Sequence, residues 1–442
     1  MELTENKTCL HIWRAIGLLD VSSQEIAMRT QAIGAGFEGL EERLLLAGNV
    51  TSVLAAGVLV LDGDGSANQV QLTVASNGQL TATGLSGTTI DGVASKSFGI
   101  VNTLTVNGGV GDDTFSLNST VATFTNDVTI DGGIGNDTIS VTGQYGADLV
   151  LNGGTGLDTI SVSKAIVAVD INIDSGGEND KVTLSGSTAG RDVVIQSGLG
   201  NDSVTVGGMA VLRDLSLTDT GGNNALRIVN STSRGDTLIV LDAGNDSLTV
   251  NGLTVGVRAG ITALGLISID CGDGNNLLSM SNVKTLGSAI GDGILVTSGI
   301  GNDVLSIMDS QSGGLIQIDA GAGGDRVELA RVTTNATGAL GITTGLGTDS
   351  VKLDRVIVGG IGIVDTGLGD DILQITNSRF TGVFNATAGD GNDVAYVGSN
   401  FFATTNSSVI GGLGIDAVTR GSNSPVSVNV TLTFENTRYG SF

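Results

Sequence analysis

A glycine turn that recurs about every 22 residues constrains the fold of this chain more than any other feature. Most copies read Gly-x-Gly-x-Asp, as at residues 109–113 and 412–416. A fixed period of this length predicts a solenoid of stacked repeats. We call the last residue of each turn its anchor. The anchors are Asp113, Asp137, Asp158, Asp180, Asp202, Asn224, Asp246, Asn276, Asp303, Asp325, Asp349, Asp371, Asp393 and Asp416.

Apolar and polar residues alternate on both sides of each turn. After the anchor Asp137, the second and fourth residues are Ile139 and Val141; before it, Val128 and Ile130 form a second apolar pair. This period of two predicts two strands per repeat, each with one buried face. About ten residues remain in each repeat, which leaves room for a third, shorter strand and its turns.

The pattern predicts an all-β chain: a parallel β-helix, right-handed, with about 22 residues per coil, since a single coil cannot bury its apolar face alone. We expect coils over residues 50–425, an N-terminal export-like or capping segment over 1–49, and a C-terminal capping strand over 426–442. One column of side chains should point into the core: Phe115, Ile139, Ile160, Val182, Val204, Leu226 and Leu248.

Asparagines follow several anchors by five to seven residues, and they allow two interpretations. They form a stacked amide ladder in a second turn, or they reflect the ordinary preference of Asn for turns. The residues concerned are Asn118, Asn230, Asn251, Asn282, Asn377 and Asn400.

Composition narrows the classes of function. The chain holds 70 Gly but only one Pro, Pro425, which fits a backbone whose donors are used in ladders. The net charge of −25, with no basic stripe, excludes nucleic acid as an expected partner. The chain contains no run of 18 apolar residues, so the sequence predicts no transmembrane helix. Cys9 and Cys271 are too few to indicate a disulfide framework.

Residues 36–47, GFEGLEERLLLA, resemble the signature near the N-terminus of many planctomycete-type exported and surface proteins. The resemblance implies an extracellular or cell-surface location; the alternative is a helix that caps the first coil. Glu42 stands where the commonest version has Pro. We also expect Met28 to be the natural initiator. The matching residues are Phe37, Glu38, Leu40, Glu41, Arg43, Leu45 and Leu46.

Four of the turns read Gly-Gly-x-Gly-x-Asp and resemble the calcium-binding nonapeptide of RTX-type β-rolls. The resemblance implies Ca²⁺ held by carboxylate and carbonyl oxygens between coils, on one side only because this chain has one such turn per coil. The alternative is that each Asp side chain points back and bonds to the backbone N–H groups of its own turn. The predicted metal ligands are Asp113, Asp137, Asp158, Asp202, Asp303, Asp325, Asp349, Asp371, Asp393 and Asp416.

An enzyme that acts on acidic glycans is the other class considered. The only histidine, His11, lies outside the repeats, and no nucleophile–base motif can be recognised. A lyase would need basic groups beside carboxylates to bind a uronate and abstract a proton. The alternative for these residues is an ion-pair ladder between adjacent strands. The candidates are Arg331, Arg355, Arg379, Glu328 and Lys352.

Hydroxyl side chains on the strands, such as Thr138 and Ser140, also resemble an ice-binding array, although Lys181 and Arg227 interrupt it. Taken together, the sequence predicts a non-enzymatic exported or cell-surface β-helix: a spacer, adhesin-like stalk or matrix component, with possible Ca²⁺ in its turns. Cell-surface or matrix components are the expected partners. The alternative is a lyase-like β-helix enzyme on acidic polysaccharides.

Overall fold

A computed structural model describes residues 48–121, 124–256, 265–287, 291–404, 406–421, 431–433 and 436–439. Over these residues the chain is an all-β parallel β-helix of about 14 turns, with about 22 residues per coil and no helix. The predicted fold class is therefore confirmed, while the right-handed sense of the coil stays a prediction. Each regular coil contributes strands to three stacked sheets, named here sheets I, II and III.

Sheet I is made by the strands that follow the anchors, and they pair in parallel from coil to coil. Its strands are Gln69–Val74, Thr114–Ser119, Thr138–Tyr145, Thr159–Val167, Lys181–Ser185, Ser203–Gly207, Ala225–Val229, Ser247–Asn251, Leu277–Ser281, Val304–Met308, Arg326–Ala330, Ser350–Asp354, Ile372–Thr376, Val394–Gly398, Ala417–Arg420 and Asn436–Tyr439.

Sheet II is made by the strands that lead into the glycine turns, again paired in parallel. Its strands are Val58–Asp62, Thr103–Asn107, Val128–Ile134, Leu149–Thr155, Ile171–Asp174, Val193–Gln196, Leu215–Thr218, Thr237–Val240, Leu266–Asp270, Gly293–Thr297, Leu315–Asp319, Leu340–Thr343, Gly362–Asp365, Phe384–Asp390, Ser408–Leu413 and Thr431–Thr433.

Sheet III is narrow, because only two residues per coil are available to it between two corners. It is the third, shorter strand that the repeat length predicted. Its strands are Thr188–Ala189, Ala210–Val211, Thr232–Ser233, Thr254–Val255, Lys284–Thr285, Gln311–Ser312, Thr333–Thr334, Ile357–Val358, Arg379–Phe380 and Phe401–Phe402.

The core lies between the three sheets and runs the length of the stack. The predicted inward column is confirmed: its members are in register from coil to coil, and each is no more than 3% exposed. Thus Ile139 pairs with Ile160 and Val182 pairs with Val204. Alternation of period two places these side chains inside and the Thr and Ser residues between them outside.

The N-terminal end differs from the uniform parallel coils that the repeat predicted from residue 50. Asn49–Ala55 runs antiparallel to Val58–Asp62, and Gln79–Gly84 runs antiparallel to both Gln69–Val74 and Ser95–Ile100. A two-residue strand, Thr89–Ile90, pairs in parallel with Asn49–Ala55. These antiparallel pairs have no glycine turn of the repeated type, so the period carries no signal for them.

At the other end, Thr431–Thr433 and Asn436–Tyr439 continue sheets II and I in parallel, within the segment predicted as a C-terminal strand. The export-like signature at residues 36–47 and Met28 lie outside the described residues. Within the described part of the chain, no helix has the length and hydrophobicity needed to cross a bilayer.

Candidate functional site

The anchors stack in one column at the corner between sheets II and I. Most glycine turns bring successive coils so close that a side chain could not fit: a Cβ on Gly135, where φ is +143°, would overlap the carbonyl oxygen of Gly111. Glycine is needed there both for the positive φ and for the contact between coils, whereas Glu178 holds the same position in the fourth coil with a φ of 77°. The turn then delivers the anchor side chain into the interior.

Every anchor side chain accepts a hydrogen bond from the backbone of the preceding coil. Asp113 N donates to Asp137 Oδ1 at 2.7 Å, and Asp137 N donates to Asp158 Oδ1 at 2.7 Å. The same bond recurs at every step as far as Asp393 N and Asp416 Oδ1, at 3.0 Å. We name these stacked side chains the anchor column. The column links all the regular coils through one side-chain oxygen each.

The anchor column is buried, and most of its second oxygens have no partner. Its members are 0–3% exposed. Ser298 Oγ donates to Asp303 Oδ2 at 2.7 Å, but ten other anchor carboxylates keep a buried Oδ2 without a hydrogen bond. An unsatisfied buried carboxylate oxygen is costly, so it favours either a proton or a cation beside it. The ten are Asp113, Asp137, Asp158, Asp180, Asp202, Asp246, Asp325, Asp349, Asp371 and Asp393.

The protonation equilibria of the column follow from this burial. Desolvation raises the pKa of Asp180 to about 7. The backbone hydrogen bond from Asp158 lowers this pKa, while the charges of Asp158 and Asp202 raise it further. The pKa of Asp325 is raised to about 7 for the same reasons. Burial also raises the pKa of Asp113 and Asp158 to about 6. The column therefore takes up protons far more readily than free aspartates do.

The two asparagine anchors relieve the charge in different ways. Asn224 keeps the ladder, because its Oδ1 accepts from Asp202 N at 2.7 Å. Its amide donates to Asp219 Oδ2 at 2.6 Å, so the buried carboxylate of this coil lies five residues before the anchor. The amide of Asn276 instead donates to the carbonyl oxygens of Gly272 and Gly274. Asparagine thus serves the turn-bonding role without any cation.

All ten predicted metal ligands lie in this one column, so the structure brings them together in sequence order. They do not converge as clusters: within the described residues, no group of three or more His, Cys, Asp or Glu side chains is placed to hold one metal ion. Calcium binding by these residues stays a prediction. The alternative expected each Asp to bond to its own turn; instead, one oxygen of each carboxylate accepts from the anchor N–H of the preceding coil.

The amide ladder expected in the second turn is not a continuous ladder. Asn230, Asn282 and Asn377 hold left-handed backbone, with φ between 48° and 54°, at the corner between sheets I and III. Their role is therefore the ordinary turn role of Asn. Only Asn282 Nδ2 and Asn251 Oδ1 form a stacked amide pair, at 3.3 Å.

A real asparagine ladder lies instead on the outside of the glycine turn, and the sequence analysis missed it. It is formed by the residue before the anchor in the coils from Asn179 to Asn302: Asn201 N donates to Asn179 Oδ1 at 2.6 Å, and Asn223 N donates to Asn201 Oδ1 at 2.7 Å. Repeated Asn-Asp and Asn-Asn pairs at the turns are the signal that could have shown it.

A second aspartate ladder was also missed. It stands where the chain enters sheet II, and we name it the outer aspartate ladder: Asp127, Asp148, Asp170, Asp192, Asp214 and Asp236. Here the following coil donates, as in Asp236 N to Asp214 Oδ1 at 2.8 Å. Arg191 pairs with Asp170, and Arg213 pairs with Asp192. The spacing of about 22 residues was visible in the sequence, but the isolated aspartates were not recognised as a repeat.

The residues considered for a lyase form ion pairs on the surface of sheet I. Lys352 Nζ lies 2.8 Å from Glu328 Oε1, and Arg326 contacts the other oxygen at 3.0 Å. The hydrogen bonds from Lys352 and Arg326 hold the pKa of Glu328 below its ordinary value. A general base needs a raised pKa, so Glu328 is poorly suited to that role.

The arginines of this patch are engaged as well. Arg331 makes two bonds to Asp309 in the preceding coil, at 2.5 and 2.7 Å. Arg355 contacts Asp354 at 2.9 Å, and the guanidinium of Arg379 lies 4.9 Å from the ring centre of Phe401. The arrangement matches the ion-pair ladder that was the alternative to a uronate site.

Two shallow grooves lie between stacked coils. One of about 430 Å³ runs beside sheet III and is lined by Lys284, Gln311 and Thr333 among others. Another of about 370 Å³ lies beside Asp214 and Asp236 of the outer ladder. Comparison with family models, curated proteins and solved structures gives no match to this chain.

Proposed function

We propose that this protein is a non-enzymatic scaffold: an extended β-helix that serves as a spacer, adhesin-like stalk or matrix component outside the cell or on its surface. The observation that carries the proposal is the uninterrupted stack of about 14 coils. At about 4.8 Å per coil the stack is roughly 65 Å long. The N-terminal resemblance to exported proteins supports the location.

The bonding between coils supports a load-bearing role. Besides the three sheets, the anchor column, the asparagine ladder and the outer aspartate ladder each tie one coil to the next. In a repeat protein each unit contacts only its neighbours, so each ladder raises the interface energy over the coils that it spans. The basic groups of the sheet I patch are likewise used in pairing, not left open for a ligand.

Incubation with acidic polysaccharides tests the scaffold against the lyase. We expect no unsaturated uronate product, measured by ultraviolet absorbance and mass spectrometry, across pectate, alginate and glycosaminoglycans. Product formation that disappears in Lys352→Met but persists in Lys181→Met would contradict the scaffold, because only the first variant breaks the Glu328 pair. Fractionation of the source cells, with detection of peptides from residues 1–27 and 28–47, tests the location and the start.

We propose in addition that Ca²⁺ neutralises the anchor column in the turns. What supports this is the buried carboxylate oxygen left without a partner in ten anchors, together with backbone carbonyls in every turn. Oxygen-only donors suit Ca²⁺, which takes six to eight of them. Since one free carboxylate oxygen remains per coil, carbonyls and water would have to complete each site. Asp137 with Asp158, and Asp349 with Asp371, are the pairs proposed first.

Thermal melts in millimolar Ca²⁺, Mg²⁺ or chelator test the metal. A site filled at a hundredfold excess over Kd adds about 2.7 kcal/mol to stability, so Ca²⁺ should raise Tm and Mg²⁺ should raise it less. Asp137→Asn should reduce the Ca²⁺ response, since Asn224 shows that an amide preserves the ladder bond. Asp192→Asn in the outer ladder is the matched control. An unchanged Tm in Ca²⁺ would remove the metal and leave the scaffold proposal standing.

A further inference from the structure

A ridge of exposed side chains runs along the glycine turns, formed by the residue three positions before each anchor. Parallel backbone bridges join many of its successive members, for example Ala322 with Leu346 and Leu346 with Leu368. We call this line the turn ridge. It extends over all the regular coils, so its length is about 62 Å for 13 steps of 4.8 Å.

Much of the turn ridge is apolar and open to solvent. Leu413 is 73% exposed, Ile300 70% and Leu199 62%. Seven of its fourteen residues are exposed large apolar side chains, and exposed apolar surface in one line is typical of a surface that binds a partner. Charges on the ridge are few, Asp273 and Asp390 being its carboxylates.

The order of large and small residues along the ridge points to the partner. Numbered from the first anchor, the fourth to sixth coils carry Gly177, Leu199 and Gly221, and the ninth to eleventh carry Ile300, Ala322 and Leu346. If a second ridge runs antiparallel, the fourth coil meets the eleventh, the fifth the tenth and the sixth the ninth. In these three pairs each large residue then faces a small one, while nearer the ends Val110 meets Leu413 and Ile134 meets Asp390.

We propose that a second copy of this chain packs antiparallel along the turn ridge, with a two-fold axis between the coils of Ala243 and Asp273. Only a partner with the same 4.8 Å rise can stay in register over so long a ridge. A strip about 62 Å by 12 Å on each copy buries roughly 1,500 Å² in total, which is the size of a standard specific interface. Two-fold pairing of one surface with itself is the commonest oligomer symmetry.

The acidity of the chain sets the conditions for association. Each copy has a net charge of −25, so the two copies repel, and salt screens the repulsion. Association should therefore become tighter as NaCl is raised from about 0.05 to about 0.5 M, because the Debye length falls roughly threefold over this range. The proposal does not depend on calcium, on export or on the absence of enzymatic activity.

Sedimentation equilibrium of the full chain at micromolar to hundred-micromolar concentration, in 0.3 M NaCl with chelator, tests the pairing. Gly177→Leu should weaken the dimer at least tenfold, because the new side chain meets Leu346 of the other copy. The variant should fold normally, since a Cβ on Gly177 has no atom within 4 Å. The double variant Gly177→Leu/Leu346→Ala should restore the dimer by exchanging the large and small positions.

Ile363→Asn is the control, because Ile363 is 52% exposed on the outer side of sheet II, away from the ridge. It should leave the dimer unchanged, and circular dichroism should show all variants folded. A monomeric wild-type chain at every concentration overturns the proposal. So does a dimer that Gly177→Leu leaves intact, or one that the double variant fails to restore.

Discussion

The anchor column and the outer aspartate ladder use the same side chain, the same spacing and the same bond, yet they differ in protonation. Asp180 is 3% exposed and its pKa is raised to about 7 by burial. Burial also acts on Asp192, but the bonds from Arg213 and Asp214 N outweigh it and hold the pKa below its ordinary value. The ladder bond therefore does not set the charge; the surroundings of the second oxygen do.

The direction of the bond differs as well. An anchor accepts from the coil before it, whereas an outer aspartate accepts from the coil after it. Asp170 and Asp192 of the outer ladder pair with arginine, while the anchors are buried. A proton or a cation thus stabilises Asp180, whereas Asp192 is stabilised in its ionised form.

The largest effect is expected from a buried carboxylate that has no ladder bond. Val204→Asp places an acid two residues after Asp202, in the inward column between Val182 and Leu226. With no backbone donor available, we expect a loss of several kcal/mol in the free energy of unfolding. Chemical denaturation, followed by hydrogen exchange of the coils around residue 204, measures it.

Thr205→Asp is the control for that change, since Thr205 points outward from the same strand. It should alter stability by less than about 0.5 kcal/mol, the ordinary range for a surface substitution. If Val204→Asp were no worse than Thr205→Asp, the inward column and the comparison built on it would be wrong.

The pH dependence of stability should show the contributions of the anchor column and of the outer aspartate ladder. The pKa of Asp113 is raised from 3.8 to about 6 and that of Asp180 to about 7, so the folded chain binds more protons than the unfolded chain between 3.8 and these values. Stability must then rise as pH falls from about 8 to about 4. For Asp192 the folded pKa is lowered, so its contribution is present above 3.8 and is lost as pH falls through lower values. In chelator, Tm should peak near about pH 4.

A Tm that rises steadily from pH 5 to pH 8 in chelator would mean that the anchors are ionised without cost, contrary to their burial. Calcium should flatten the limb between pH 8 and 5, because a cation replaces the protons there. It should leave the acid limb unchanged, because the outer ladder is already paired with arginine.

Two substitutions of Asp180, with a smaller expected effect on stability, distinguish the contribution of the hydrogen bond from that of the charge. At pH 5 Asp180, with a pKa of about 7, is neutral in the folded chain. Asp180→Ala then leaves the buried Asp158 N–H without an acceptor, at a cost of about 1–3 kcal/mol. Asp180→Asn keeps an acceptor oxygen, as Asn224 does, and should cost little. Melting at pH 5 measures the difference; equal Tm values for the two variants would show that the bond contributes nothing.

The sequence carried the fold because each coil repeats one local pattern. Ile139 and Ile160 could be placed in one column because strict alternation and a constant step leave only one register. The antiparallel strands at residues 49–100 could not be predicted in this way, since they occur once. Their pairing depends on how the first coil is covered.

The site was predicted in position but not in bonding. The glycine turns located the anchors, yet nothing in Gly-x-Gly-x-Asp says which coil supplies the N–H for Asp137 Oδ1. That choice depends on the direction in which the coils stack. The asparagine ladder was expected at Asn230, but it runs through Asn201 and Asn223. Asn230 supplies the left-handed backbone of the second corner, whereas in the glycine turn the N–H of Asn223 donates to the side-chain oxygen of Asn201.

The smallest effect is expected in the outer ladder. Asp192→Asn keeps an acceptor for Asp214 N but loses the ion pair with Arg213, whose side chain is 42% exposed. Exposed pairs contribute about 0–1 kcal/mol, so the loss should be below about 1 kcal/mol at low salt and should shrink further in 0.5 M NaCl. A double-mutant cycle with Arg213→Gln isolates the pair. A coupling as large as the cost of Asp180→Ala would mean that surface charge pairs, and not buried backbone bonds, hold successive coils together.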